Sequence, residues 1–127
     1  MPAHPLTARV RSSLLARVLV MGMALAAPAH GEGVLPNEAT KAMQKAADQK
    51  FAEGNKLFKA GKFEEAIVAF QQAHDIVSSP DSTLMIARAQ QNQGDLLKAH
   101  EAYNTALTEA EAATQVDEKY RPTLQSI

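Results

Sequence analysis

Few side chains in this sequence have the types and spacing that chemistry needs. His74 and His100 are the only histidines in the central stretch, 26 positions apart. Asp75 follows His74 directly, but consecutive residues on a helix point in different directions, so they do not form an acid–base pair. Both histidines are expected to face solvent. Glu64-Glu65 reads as a solvated helix start, where negative charge suits the helix dipole. Asp95 reads as an N-cap. The chain contains no Gly-rich phosphate loop, no His-Glu-x-x-His and no Gly-x-Ser-x-Gly. It has no cysteine, which excludes a disulfide framework, thiolate zinc sites, a cysteine nucleophile and a lipid-modified cysteine anchor. The expectation is a protein that is not an enzyme, with no cofactor and no metal.

The elements that position these residues start with the balance of charge. The 127 residues suit one domain. Thirteen basic side chains against 14 acidic ones give a net charge of −1, which argues against a nucleic-acid partner. The charge is unevenly spread. No acid precedes Glu32, whereas Arg9, Arg11 and Arg17 do. These arginines lead into the apolar run Val18–Ala27 and the small-x-small signal Ala27-Pro28-Ala29, the pattern of a secretory signal peptide. The run is well short of the roughly 20 residues that span a bilayer. Cleavage is expected after Ala29, giving a periplasmic or secreted protein; a membrane would be touched only through an uncleaved signal segment.

Beyond Ala29 lie 98 residues, with ten basic and fourteen acidic side chains. Seventeen are Ala and eight are Val or Ile. That ratio favours helix over strand and predicts an all-α fold. Residues 30–36 read as a flexible lead. A first helix is expected from Pro36-Asn37, with Asn37 as N-cap, to Gly61 as the residue after its C-cap. A second carries Phe63, Ala66, Ile67, Phe70, Ala73 and Val77 on one face, and Ser78-Ser79-Pro80-Asp81 breaks it. A third runs from about Ser82 to Gln93 and stops at Gly94. A fourth follows Asp95 and ends within Glu111–Gln115. Tyr120 to Ile127 opens a fifth, with Pro122 in its first turn.

The chain matches itself at a shift of 33 residues. Gly61 falls on Gly94, Ala66 on Ala99, Phe70 on Tyr103, Ala73 on Ala106 and Gly54 on Ala87. Small residues are needed where the two helices of a hairpin cross. The aromatic fills the gap to the next hairpin. This pattern resembles the tetratricopeptide repeat, a helix–turn–helix unit of about 34 residues. Leu57 also fits the family's pattern, as does Ile86. Lys50, Glu53, Thr83 and Gln90 stand where it usually has large apolar or small residues, and Ser78 and Glu111 where it usually has Pro. The resemblance covers residues 47–111. Ile86–Asp95 is also similar to exported repeat proteins of bacterial envelopes. The implied organisation is a signal peptide at 1–29, the lead at 30–36 and an α-solenoid domain at 37–115. Its repeats occupy about 47–79 and 80–113, and 116–127 starts a further or capping helix.

What the resemblance implies for function is protein–protein interaction, because stacked hairpins form a groove lined by the first helix of each pair. Carried over position by position, the groove residues are Asp48, Phe51, Asn55, Phe58 and Lys59 in the first repeat. In the second they are Asp81, Leu84, Arg88, Gln91 and Asn92. Phe51, Phe58 and Leu84 are expected to be exposed there beside polar groups. The alternative is that the two phenylalanines pack on neighbouring structure. A subfamily holds the C-terminal carboxylate of heat-shock chaperones with a Lys/Asn clamp. Asn55 fits that clamp, but Phe51 and Met85 replace two of its residues, so it is not expected here. Repeat arrays usually need three or more units, so Val116, Tyr120, Leu124 and Ile127 would expose apolar surface unless something covers them: further chain, a partner or a second copy. Three readings follow: an exported interaction module for a peptide or protein, a self-associating envelope or secretion scaffold, or the recognition arm of a larger enzyme or sensor.

Overall fold

Gly61 and Gly94 have left-handed backbones, with φ of 77° and 86°, in the computed structural model, which describes residues 33–127. The signal-peptide reading of residues 1–29, and His30 to Glu32 of the lead, lie outside the described residues. Gly61 follows helix α1, Lys41–Lys59. Its N–H donates to the Phe58 carbonyl and that of Lys62 to the Leu57 carbonyl, which is the Schellman closure. Gly94 closes helix α3, Pro80–Gln93. The N–H of Gly94 donates to Gln91 and that of Asp95 to Gln90, the same pair of bonds. A Cβ on either glycine would meet nothing within 4 Å. Glycine is required by the backbone angle, not by lack of space.

Helix α2 spans Phe63–Ile76 and α4 spans Leu96–Val116. A 3-10 turn, Glu118–Tyr120, then leads into the short α5, Arg121–Gln125. The described residues are all-α, with no strand beyond one isolated bridge between Val34 and Val77. No described helix is long and apolar enough to cross a membrane. The caps follow from side-chain oxygens at helix starts. Ser79 accepts from the Asp81 N–H ahead of Pro80, and Asp95 accepts from the Lys98 N–H.

Several boundaries differ from expectation. Helix α3 starts at Pro80, inside the expected Ser78–Asp81 break and ahead of Ser82. Thr40, not Asn37, caps α1 by accepting from the Met43 N–H at 3.1 Å. Pro36–Glu38 form a separate turn, closed by the Glu38 N–H on the Leu35 carbonyl. Helix α4 runs one residue past the expected limit, to Val116, where Asp117 leaves the helical conformation and caps the next turn. The lead is tied down from Gly33 onward. Ser78 donates its N–H to the Val34 carbonyl and its hydroxyl to that of Gly33, and the Val34 N–H donates to Ile76.

Each helix packs mainly on its neighbours in sequence, with the 3-10 turn and α5 against α4. The core is narrow because alanine lines the contacts. Ala66, Ala73, Ala87, Ala99 and Ala106 are all buried. Phe70 is the large side chain among them, fully buried in a cluster with Ala66 and Ile86. Burying such a ring contributes about 2–3 kcal/mol. Gly54 lies under it. A Cβ there would sit 2.6 Å from the Phe70 ring, so here glycine is required by space.

Candidate partner-binding groove

Helices α1 and α3 place side chains along one face, and the chain after α4 returns to meet them. Two cavities result. The larger, about 370 Å³, is lined by Gln44, Ala47, Asp48 and Phe51 of α1 and by Ala73 and Val77. Ser79, Asp81 and Ser82 at the start of α3, with Lys119 and Tyr120, complete it. The smaller, about 260 Å³, lies between Phe51, the α3 residues Asp81, Leu84, Met85 and Arg88, and Pro122, Thr123 and Ser126. Phe51 and Asp81 belong to both, so the two hollows adjoin.

Of the ten residues expected in a groove, Asp48, Phe51, Asp81, Leu84 and Arg88 line these cavities. Asn55, Phe58, Lys59, Gln91 and Asn92 line neither. Gln91 accepts from the Tyr103 hydroxyl at 2.7 Å, and Asn92 donates to the Arg88 carbonyl at 2.7 Å. The expected exposure of three apolar residues is corrected. Leu84 is only 5% exposed. Phe51 and Phe58 are half-buried, because Phe51 tilts onto Phe70 and Phe58 sits edge-on to Phe63, each with ring centroids 5.3 Å apart. Both belong to the layer packed on the core cluster. Leu57 joins that layer, and Tyr103 is half-buried.

The C-terminal stretch supplies residues that sequence reasoning left out of the site. Tyr120, which would be exposed if nothing covered it, is covered within the chain and is 5% exposed. The turn that Asp117 caps folds it under the α1/α3 face. Burial pushes its phenol above the usual value, against the pull of Lys119. Thr123 donates its hydroxyl to Asp81, joining α5 to the start of α3. Val116 and Ile127 do remain exposed, while Leu124 is half-buried. The signal in the sequence was the Asp117 N-cap pattern followed by an aromatic.

His74 is also corrected. It does not face solvent; its side chain is 21% exposed and lies 3.0 Å from Glu109 of α4. A carboxylate can only accept, so the imidazole Nε2 donates. The other Glu109 oxygen accepts from the Thr83 hydroxyl of α3 at 2.6 Å. The bond to Glu109 raises the His74 pKa, against the opposing effect of burial. Thr83 is 7% exposed and donates to the carboxylate, not to the imidazole. That is not the nucleophile–base–orienter order of a triad. His100 is exposed, beside Asn104. Among the described residues no three His, Asp or Glu side chains come together as a metal site.

No family model matches the chain, and neither the curated proteins nor the solved structures contain a match.

Proposed function

We propose that this chain is an exported, non-catalytic interaction module of tetratricopeptide-like solenoid architecture that binds a peptide or protein segment along the α1/α3 face. The observation that carries the reading is the pair of adjoining cavities on that face, walled by Asp48, Phe51, Asp81, Leu84 and Arg88. The repeat supports it independently. Gly61 and Gly94 make the same closure 33 residues apart, and the equivalent small residues Ala66 and Ala99 are both buried. A groove whose lining combines apolar and polar side chains is the form that peptide recognition takes.

Selection of displayed peptides on the full chain tests this. Binding clones are expected to lose affinity for an Asp48→Ala/Arg88→Ala variant. Neither side chain is fully buried, so the fold should persist. Clones that bind wild type and variant equally would sink the groove assignment. A second reading, self-association as a scaffold, is favoured by the exposed Val68, Leu96 and Leu97. Light scattering tests it, and a clean monomer counts against it.

A further inference from the structure

The larger cavity joins two features that together select a ligand. Ala47, Ala73 and Val77 make up an apolar part of its lining beside Ser79 and Ser82, and two aromatic rings line it, Phe51 and Tyr120. Two carboxylates also line it, Asp48 from α1 and Asp81 from α3. Neither has an ion-pair partner among the described residues. Asp48 accepts the Gln44 amide at 2.9 Å, and Asp81 accepts the Thr123 hydroxyl. The single cation on the lining, Lys119, is already engaged, 3.4 Å from Asp117 and over the Tyr120 ring. The cavity therefore has net negative charge, aromatic walls and a volume within the roughly 300–1,000 Å³ range of small-ligand pockets.

We infer that this cavity seats the cationic head of a basic side chain, arginine or lysine, presented by the partner peptide. The inference rests on the groove reading and specifies what the groove recognises. Aromatic rings attract a cation through their quadrupole. A carboxylate adds a charge-assisted hydrogen bond, bidentate when the head is a guanidinium. Ala47, Ala73 and Val77 accommodate the methylene stem, leaving the charge beside Asp48 and Asp81.

Amide NMR shifts of the full chain test this, titrated with acetyl-Ala-Ala-Arg-Ala-Ala-amide and with the same peptide carrying Glu or norleucine at its centre. The expected result is saturable shifts around Phe51, Asp81 and Tyr120 with the arginine peptide only. Asp48→Asn should weaken that binding about two- to fivefold, the range of one exposed ion pair. Asp48→Asn/Asp81→Asn should weaken it further than Asp48→Asn alone, and Asn at position 81 still offers an acceptor to Thr123. Lys119→Ala should tighten binding, because it removes the competing cation. Equal shifts with the Glu or norleucine peptide, no saturable shift with the arginine peptide, or undiminished binding by the double variant would overturn the inference. Displayed peptides without basic residues that still lose binding to Asp48→Ala/Arg88→Ala would leave the groove reading standing while this one falls.

Discussion

Where α2, α3 and α4 meet, Glu109 accepts from both His74 and Thr83. Across the α1/α3 face, Asp48 and Asp81 hold hydroxyl or amide donors but no cation, and they front a cavity. Both regions bring carboxylates together with polar neighbours from other elements. They differ in closure. At the seam each polar group finds its partner within the protein, and the groups tie three helices together. At the face, charge is left over and space lies beside it. A satisfied partly buried network stabilises one packing arrangement. Carboxylates that hold no cation and lie beside a cavity are suited to a ligand. Mutations at the seam should therefore cost stability, and mutations at the face should cost binding.

The sharpest break of this contrast is Glu109→Ala. It leaves the Thr83 hydroxyl without an acceptor in a nearly inaccessible position and removes the partner of His74. The expected loss is about 1–3 kcal/mol, the cost of orphaned buried groups, read by urea unfolding. A loss no larger than that of a surface substitution would mean the seam is as dispensable as the face. Gly54→Ala should come next. The new methyl meets the Phe70 ring at 2.6 Å, and Phe70 is itself packed on Phe51. Overpacking costs about 1–3 kcal/mol, offset by roughly 1 kcal/mol of helix propensity. A net loss is expected, and a stabilised variant would show that the ring moves freely.

Gln90→Leu should act in the opposite direction. The Gln90 side-chain oxygen, toward the other end of α3 from the seam, is buried without a hydrogen-bond partner among the described residues. An apolar side chain removes the desolvation penalty, and a gain of about 1 kcal/mol is expected. A loss in urea unfolding would show that the amide has a role that the unpartnered oxygen conceals.

The seam should also respond to pH. His74 has a raised pKa in the folded state. The groups facing it are Glu109 from α4, Thr83 from α3 through that carboxylate, and Asp75 on its own helix. A raised folded pKa favours the protonated folded form. Its contribution is fully present below the ordinary histidine value of 6.5 and is lost as pH rises through the higher folded value. Thermal midpoints should therefore fall as pH rises above the ordinary histidine value of 6.5, by less than Glu109→Ala costs. His74→Gln should flatten that slope, and an unchanged slope in the variant would remove His74 as its source.

Much of the fold is visible in local pattern, and much of the site is not. The two helix-closing glycines, the Asp95 cap and the alanines at helix crossings follow from spacing along one segment. The choice of Thr40 over Asn37 depends on the Pro36–Glu38 turn, which competes for the same residues. Pairing of His74 with Glu109 spans 35 positions, beyond any rule of helical neighbours. The burial of Leu84 and Tyr120 depends on the chain returning after α4, which the helical period does not encode. The lead reads as flexible because of its glycines, yet Gly33 lies against the end of α2. There a side chain would collide with the His74 carbonyl.

The smallest expected effect is the most discriminating. Asp48→Asn keeps the shape of the side chain and removes only its charge. Asp48 is exposed and accepts one amide, from Gln44 four residues earlier, which asparagine's oxygen can also accept. Its stability should change by less than about 0.5 kcal/mol, as at surface positions without a structural role. If the same substitution weakens the arginine peptide, charge at this face serves recognition and not folding. If it instead destabilises the chain as much as Glu109→Ala, the two regions are one kind of network, and the cavity beside Asp48 is a packing gap in the fold.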